Sequence, residues 1–231
     1  MPTPIRPTPP PMNPKPHFTQ PQSDFTLIYA DAQLLVVSKP SGMLSVPGRG
    51  EEKQDCLVKR VQVDHPDALI VHRLDYDTSG LLVLARGKTM HRRLSIQFQE
   101  RQVYKRYVAV VAGKLAPTTG EVNLPLIVDW PNRPLHKVDH VEGKPSLTLY
   151  RVIAYDPDEN STRVELTPET GRTHQLRVHM QALGHPILGD SLYADPTSRA
   201  KANRLLLHAE YLAFQHPESG KRLEFHCPAR F

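Results

Sequence analysis

Residues 67–86 read DALIVHRLDYDTSGLLVLAR. Two apolar runs, at 69–71 and 81–85, enclose the polar stretch HRLDYDTSG at 72–80. Short runs of Leu, Ile and Val bounded by turn residues predict buried strands. The segment between them is not an ordinary connector, because it carries a His, an Arg, two Asp and two hydroxyls. Charged groups brought to the edge of a core need partners or a chemical task. Residues 72–80 are therefore the candidate active site.

Upstream, residues 25–29 and 34–37 predict a hairpin that turns at Asp31-Ala32, and Lys39-Pro40-Ser41-Gly42 then breaks the strand pattern. Proline lacks the ladder donor and glycine tolerates left-handed geometry, so a loop follows, with a short helix over 53–62. Downstream, Met90, Leu94 and Phe98 recur at four-residue intervals and predict a helix over 88–100. Strands are expected over 107–111, 147–155, 162–166, 205–213 and 222–226. A helix is expected over 174–183, and loop with a short helix over 185–204. Residues 127–145 show no sustained periodicity and read as a long exposed loop. Many strands, few helices and short connections argue against a doubly wound sheet. The expected class is α+β: one domain, 23–231, around a twisted, mainly antiparallel mixed sheet with flanking helices and loops. Residues 1–22 hold nine of the 23 prolines and read as a disordered or polyproline-like tail.

The chain has 231 residues, 39% of them hydrophobic and 23% charged, which suits a folded soluble domain. Its net charge of +5 favours a polyanionic partner without identifying one. Two cysteines, Cys56 and Cys227, stand in no motif spacing, so no disulfide framework is expected and the compartment is read as reducing. No run approaches the ~18 apolar residues of a membrane span. No secretory signal pattern opens the chain. A cytoplasmic protein is expected.

Asp75 is the singular residue of the opening stretch. A carboxylate beside a cation serves as a nucleophile or as a base. An Asx-type turn with a structural Arg–Asp pair accounts for the same residues equally well. A second constellation, GRTHQLRVHM at 171–180, opens the expected helix at 174–183, with Thr173 as its cap and Leu176, Met180 and Leu183 as its inner stripe. A guanidinium at a buried face requires a carboxylate, and Asp75 is the candidate partner of Arg177. His174, His179 and His185 lack the spacing of a zinc set, so no metal is expected. His72 and His208 read as polar site lining or satisfied core residues. Lys105, Arg106 and Tyr107 suit phosphates and a stacked base, or a core-anchored strand start. Trp130, Arg133, His136 and Lys137 suit RNA or a solvated lid.

The run His72-Arg73-Leu74-Asp75 with Thr78-Ser79-Gly80, then Tyr107, then Gly171-Arg172-Thr173-His174-Gln175-Leu176-Arg177, resembles the RluA family of pseudouridine synthases. The match covers nearly everything from about residue 25 to 231. The loop Asp129-Trp130-Pro131-Asn132-Arg133-Pro134, the run Gly184-His185-Pro186-Ile187-Leu188-Gly189-Asp190 and the lack of an S4 domain are most similar to the family's dual-specificity branch, which acts on tRNA and 23S rRNA. The proline-rich tail and Tyr76-Asp77 depart from the family pattern. The resemblance implies the pseudouridine synthase catalytic fold and an isomerase that detaches uracil from ribose and reattaches it through carbon. It implies RNA as partner, with an anticodon-arm uridine of tRNA and one in 23S rRNA as targets. It further implies a monomer and no cofactor, since substrate and product are isomers. By the same resemblance Asp75, Tyr107 and Arg177 are catalytic, and His72, Arg73, Thr78, Lys105, Arg133, Arg172 and His174 bind substrate. Two other readings compete: a non-catalytic RNA-binding or ribosome-assembly protein, and a hydrolase with Asp75 as nucleophile.

Overall fold

The computed structural model describes residues 24–231, and the tail expected over 1–22 lies outside them. The hairpin β1 (Thr26–Ala30) and β2 (Leu34–Lys39) forms as expected, with the Asp31 carboxylate accepting from the Gln33 and Leu34 amides at the turn. β2 is buried on both faces: Leu35 and Val37 enter one core cluster and Leu34 and Val36 another. Helix α1 (Leu57–Asp64) follows the loop, starting later than expected. Strands β3 (Ala68–Ile70) and β4 (Ser79–Arg86) are antiparallel partners around the segment 71–78. β4 repeats the division seen in β2, with Leu82 and Leu84 on one side and Leu81, Val83 and Ala85 on the other. A continuous apolar run is the pattern of a strand covered on both faces. Each fully buried Leu or Val is worth about 1.5–3 kcal/mol.

Helix α2 (Gly87–Gln99) lays Met90, Leu94 and Phe98 on the second cluster. After it come β5 (Tyr104–Ala112), β6 (Thr119–Asn123), β7 (Leu126–Val128), β8 (His136–Val138), β9 (Leu147–Asp156), β10 (Ser161–Pro168), α3 (Gln175–Ala182), α4 (Pro196–Ala200), β11 (Leu207–Gln215) and β12 (Arg222–His226). Ten strands make one sheet in the order β1-β2-β4-β11-β5-β10-β9-β6, with β3 added on β4 and β12 on β11. The β4–β11 pair is parallel and the other pairs are antiparallel, which is the mixed sheet with flanking helices expected from the sequence. β11 is the keystone, because the last long strand inserts between β4 and β5.

Two expectations are corrected. Residues 127–145 are not a bare loop, because β7 and β8 pair antiparallel around a 3-10 turn at Trp130–Asn132. Three-residue strands are too short to register a periodicity. Helix α3 is not one-sided: Gln175 through Met180 are all buried, including Arg177 and His179. It packs against the sheet on one side and the β7–β8 arm on the other, so its polar residues face protein too.

Candidate active site

The segment 71–78 is held from below by the loop after β2. Lys39 Nζ, fully buried, donates to the carbonyls of Pro40 (2.9 Å), Met43 (2.7 Å) and Tyr76 (3.1 Å). Ser41 Oγ donates to Asp77 O, while Ser45 Oγ donates to Leu74 O and accepts from the Leu74 amide. Burial pulls the Lys39 pKa down to about 7, against the opposing pull of Asp75 and Asp77. These bonds fix Asp75 on both flanks. The break in the strand pattern at 39–42 was the only sequence signal for this support.

The Asp75 carboxylate stands on a cavity wall, its side chain 22% exposed. Its Oδ2 is 3.8 Å from Arg177 Nη1 and its Oδ1 is 3.9 Å from His174 Nε2. The expected pairing of Arg177 with Asp75 is thus present only at its longer reach. The close carboxylate is Asp190, which accepts from Arg177 Nε (2.8 Å) and Nη2 (2.7 Å) and is itself completely buried. One edge of the guanidinium serves Asp190 and the remaining Nη1 serves Asp75. Burial opposes the Arg177 charge, yet Asp190, Asp75 and Asp77 more than offset it and raise its pKa further. Asp190 has no local signature as a partner, because an acid thirteen residues past the arginine shares no periodicity or motif with it.

The expected Thr173 cap is also corrected. The residue before α3 is His174, in left-handed backbone with φ 56°, and no side chain caps the helix. Gln175 ties the turn instead, its Oε1 accepting from the Arg172 amide and from the Thr170 hydroxyl. Thr173 Oγ1 accepts from Arg73 Nη2 at 3.4 Å. Burial lowers the His174 pKa to about 4, with Asp75 opposing and Arg177 assisting.

A cavity of about 600 Å³ brings together His72, Arg73, Asp75, Thr78, Lys105, Tyr107, Arg172, His174 and Arg177. A second, of about 400 Å³, lies across Asp75 and is lined by Arg73, Arg133, His136 and His174. Tyr107 sits at the seam where two core clusters meet, and Ala209 of β11 lies opposite it in register. Burial, with help from Asp75, raises the Tyr107 pKa, so the group is a neutral phenol. Burial lowers the Lys105 pKa while Glu169 opposes. His72 stacks on Phe98 with ring centroids 4.5 Å apart, and its Nε2 accepts from the Val83 amide at 3.0 Å. Burial drops its pKa to about 3, which makes it a neutral anchor of β4 more than a free ligand. Thr78 is buried, and among the described residues its hydroxyl has no partner. Arg133 stacks over Trp130 at 4.3 Å, and Arg172 Nε donates to Pro145 O at 3.3 Å. Three further histidines lie outside both cavities. His179 bonds Thr148 and Leu124 O, His185 bonds Ala112 O, and His208 lies between Ser79 and Cys227 O. The arrangement offers a carboxylate between a fixed cation and an imidazole, facing an aromatic ring across a basic-rimmed cavity.

The model of the RNA pseudouridylate synthase family matches residues 33–182. The chain is 55% identical to the dual-specificity RNA pseudouridine synthase RluA of Escherichia coli (strain K12), over 88% of this chain and 93% of that protein. It is 54% identical to the RluA of Yersinia pestis, over 88% and 98% respectively. Among solved structures it is similar to human RNA pseudouridylate synthase domain containing 1, with a TM-score of 0.76 at 30% identity over 92% of this chain and 87% of that one. Human RNA pseudouridylate synthase domain containing 4 gives 0.71 at 26% identity, covering 88% of each.

Proposed function

The chain belongs to the RNA pseudouridylate synthase family and is an RNA pseudouridine synthase, and on that premise we propose that it isomerises one uridine in the tRNA anticodon arm and one in 23S ribosomal RNA. The support for two targets is identity above half, over nearly the full length, to relatives named dual-specificity. The observation that carries the chemistry is the Asp75 carboxylate, held 3.8 Å from Arg177 and 3.9 Å from His174 on the wall of a cavity that also holds Tyr107.

A glycosidic bond inside a stacked loop is out of reach, so the nucleotide turns out into the cavity at a cost of a few kcal/mol. Lys105, Arg73, Arg172 and Arg133 offset that cost through phosphate contacts at the rim. Asp75 then acts on the ribose, as nucleophile at the carbon that bears the base or as base toward a neighbouring proton. Both roles need the carboxylate aimed at the ribose, and Arg177 Nη1, 3.8 Å from Oδ2, orients it. The carbon–nitrogen bond breaks, a carbon–carbon bond forms, one proton leaves the base carbon and one returns to the freed nitrogen. Nothing is oxidised or transferred, so the reaction needs no redox equivalent or group donor. Tyr107, a neutral phenol, packs against the detached uracil and keeps it in the cavity while it turns.

The test is a map of pseudouridine in total RNA from cells with and without the gene. Loss of one anticodon-arm site and one 23S site, restored by the wild-type gene and not by Asp75→Asn, is the expected result. Loss in tRNA alone would refute the dual reading and leave the enzyme class standing.

A further inference from the structure

Tyr193, in the turn after α3, holds the imidazole of His174. The backbone amide of His136 donates to the Tyr193 hydroxyl oxygen at 2.9 Å, so the hydroxyl's own proton needs an acceptor elsewhere. His174 Nδ1 lies 2.6 Å away in that role. A ring nitrogen that accepts carries no proton, and burial keeps the ring from taking a second one. The single ring proton therefore sits on Nε2, the atom that faces Asp75. The opposite tautomer would leave a buried O–H without an acceptor, which native interiors avoid. Tyr193 is itself fixed: its amide and that of Leu192 donate to Asp190 Oδ1, and Arg177 lies over its ring at 5.1 Å. The left-handed backbone at His174 is a strained geometry of the kind that persists where a site over-determines it.

We propose that Tyr193 is a positioning residue whose hydroxyl fixes His174 as an Nε2–H donor toward the Asp75 carboxylate, opposite the Arg177 cation. The proposal rests on Asp75 being the reacting carboxylate. In the free protein the 3.9 Å gap exceeds a hydrogen bond. Catalytic hydrogen bonds commonly tighten in the substrate complex, and RNA binding closes this one. With Arg177 Nη1, 3.8 Å from Oδ2 in the free protein, drawn in likewise, Asp75 has a donor on each oxygen, which stops its rotation and leaves one free lone pair on each for the ribose.

Two measurements test this, one of them independent of RNA. Nitrogen NMR of the His174 ring is expected to find Nε2 protonated in the wild-type protein and a mixture of tautomers in Tyr193→Phe. In single-turnover assays Tyr193→Phe is expected to lower the rate about tenfold, the size of one hydrogen bond to a charged group, with RNA affinity unchanged. Repeated in a His174→Gln background, the same substitution is expected to cost less than twofold, because the hydroxyl acts through the imidazole. A proton on Nδ1 in the wild-type protein, an equal loss in both backgrounds, or no loss in either overturns the proposal. A wild-type protein inactive on RNA refutes the functional reading instead, while the tautomer measurement still decides the role of Tyr193.

Discussion

At the scale of single residues, Asp75 and Arg177 are not equivalent halves of one ion pair. Arg177 is anchored by Asp190 through two short bonds, whereas Asp75 stands about 1 Å farther off and part-exposed. Asp75→Asn is therefore expected to leave the melting temperature within a degree or two of wild type. It should lower pseudouridine formation by on the order of 10³-fold or more, with RNA binding retained. Arg177→Ala should behave differently, because it strands a fully buried carboxylate at Asp190. A loss of about 3–5 kcal/mol in urea unfolding is expected alongside the loss of activity. Equal stability of the two variants would show that Asp190 does not depend on Arg177. The neutral histidines give a pH test. His72 and His174 titrate at about 3 and about 4 in the folded protein, below the ordinary value of 6.5. The unfolded chain thus binds protons that the fold refuses as pH falls through 6.5. Each histidine then costs up to about 1.4 kcal/mol per pH unit until its folded pKa is reached. Ring resonances of both should stay unshifted down to pH 5 in an NMR titration, and movement near pH 6.5 would contradict the burial argument.

At the scale of elements, the site depends on how closely three strands approach. Gly80 of β4 pairs with Ala209 of β11, which in turn pairs with Tyr107 of β5. A Cβ on Gly80 would lie 2.3 Å from Ala209 O and 2.6 Å from Ala209 N, in backbone with φ +115° that side chains resist. Gly80→Ala is expected to cost about 3 kcal/mol. By the usual scaling that is a drop of about 6–12 °C in melting temperature, measurable by calorimetry. Because β4 begins four residues after Asp75, the surviving folded fraction should also turn over more slowly. A bulge in β11 between Ala209 and Tyr211 lies beside the same contact, a common device for re-aiming a side chain near a site. The role of Gly80 was half legible in the sequence: its neighbours Thr78 and Ser79 marked a turn, but the backbone it must admit lies about 130 residues away. The β7–β8 arm was not legible, since its strands are short and, among the described residues, they pair as strands with each other alone.

At the scale of the whole molecule, the net charge of +5 and the basic cavity rim make RNA affinity a function of salt. The logarithm of affinity should fall linearly with the logarithm of salt concentration. Arg172→Ala and Lys105→Ala should each flatten that slope by about 0.7 if each meets one phosphate. Unchanged slopes would remove these two residues from the phosphate contacts. What the amino-acid sequence determined by itself was local: strands from apolar runs, α2 from its four-residue repeat, and the polar segment 72–80 as a place of chemistry. Those features depend on neighbours a few positions apart, so periodicity and turn preference reveal them. The tertiary structure alone decided which distant groups meet. It seated β11 between β4 and β5, drew Asp190 onto Arg177 and Tyr193 onto His174, and ran Lys39 beneath Tyr76. An isolated charge carries no mark of its partner. The pairing follows from which segments the packed core forces together, where an unpaired buried ion would cost more than the fold can spare.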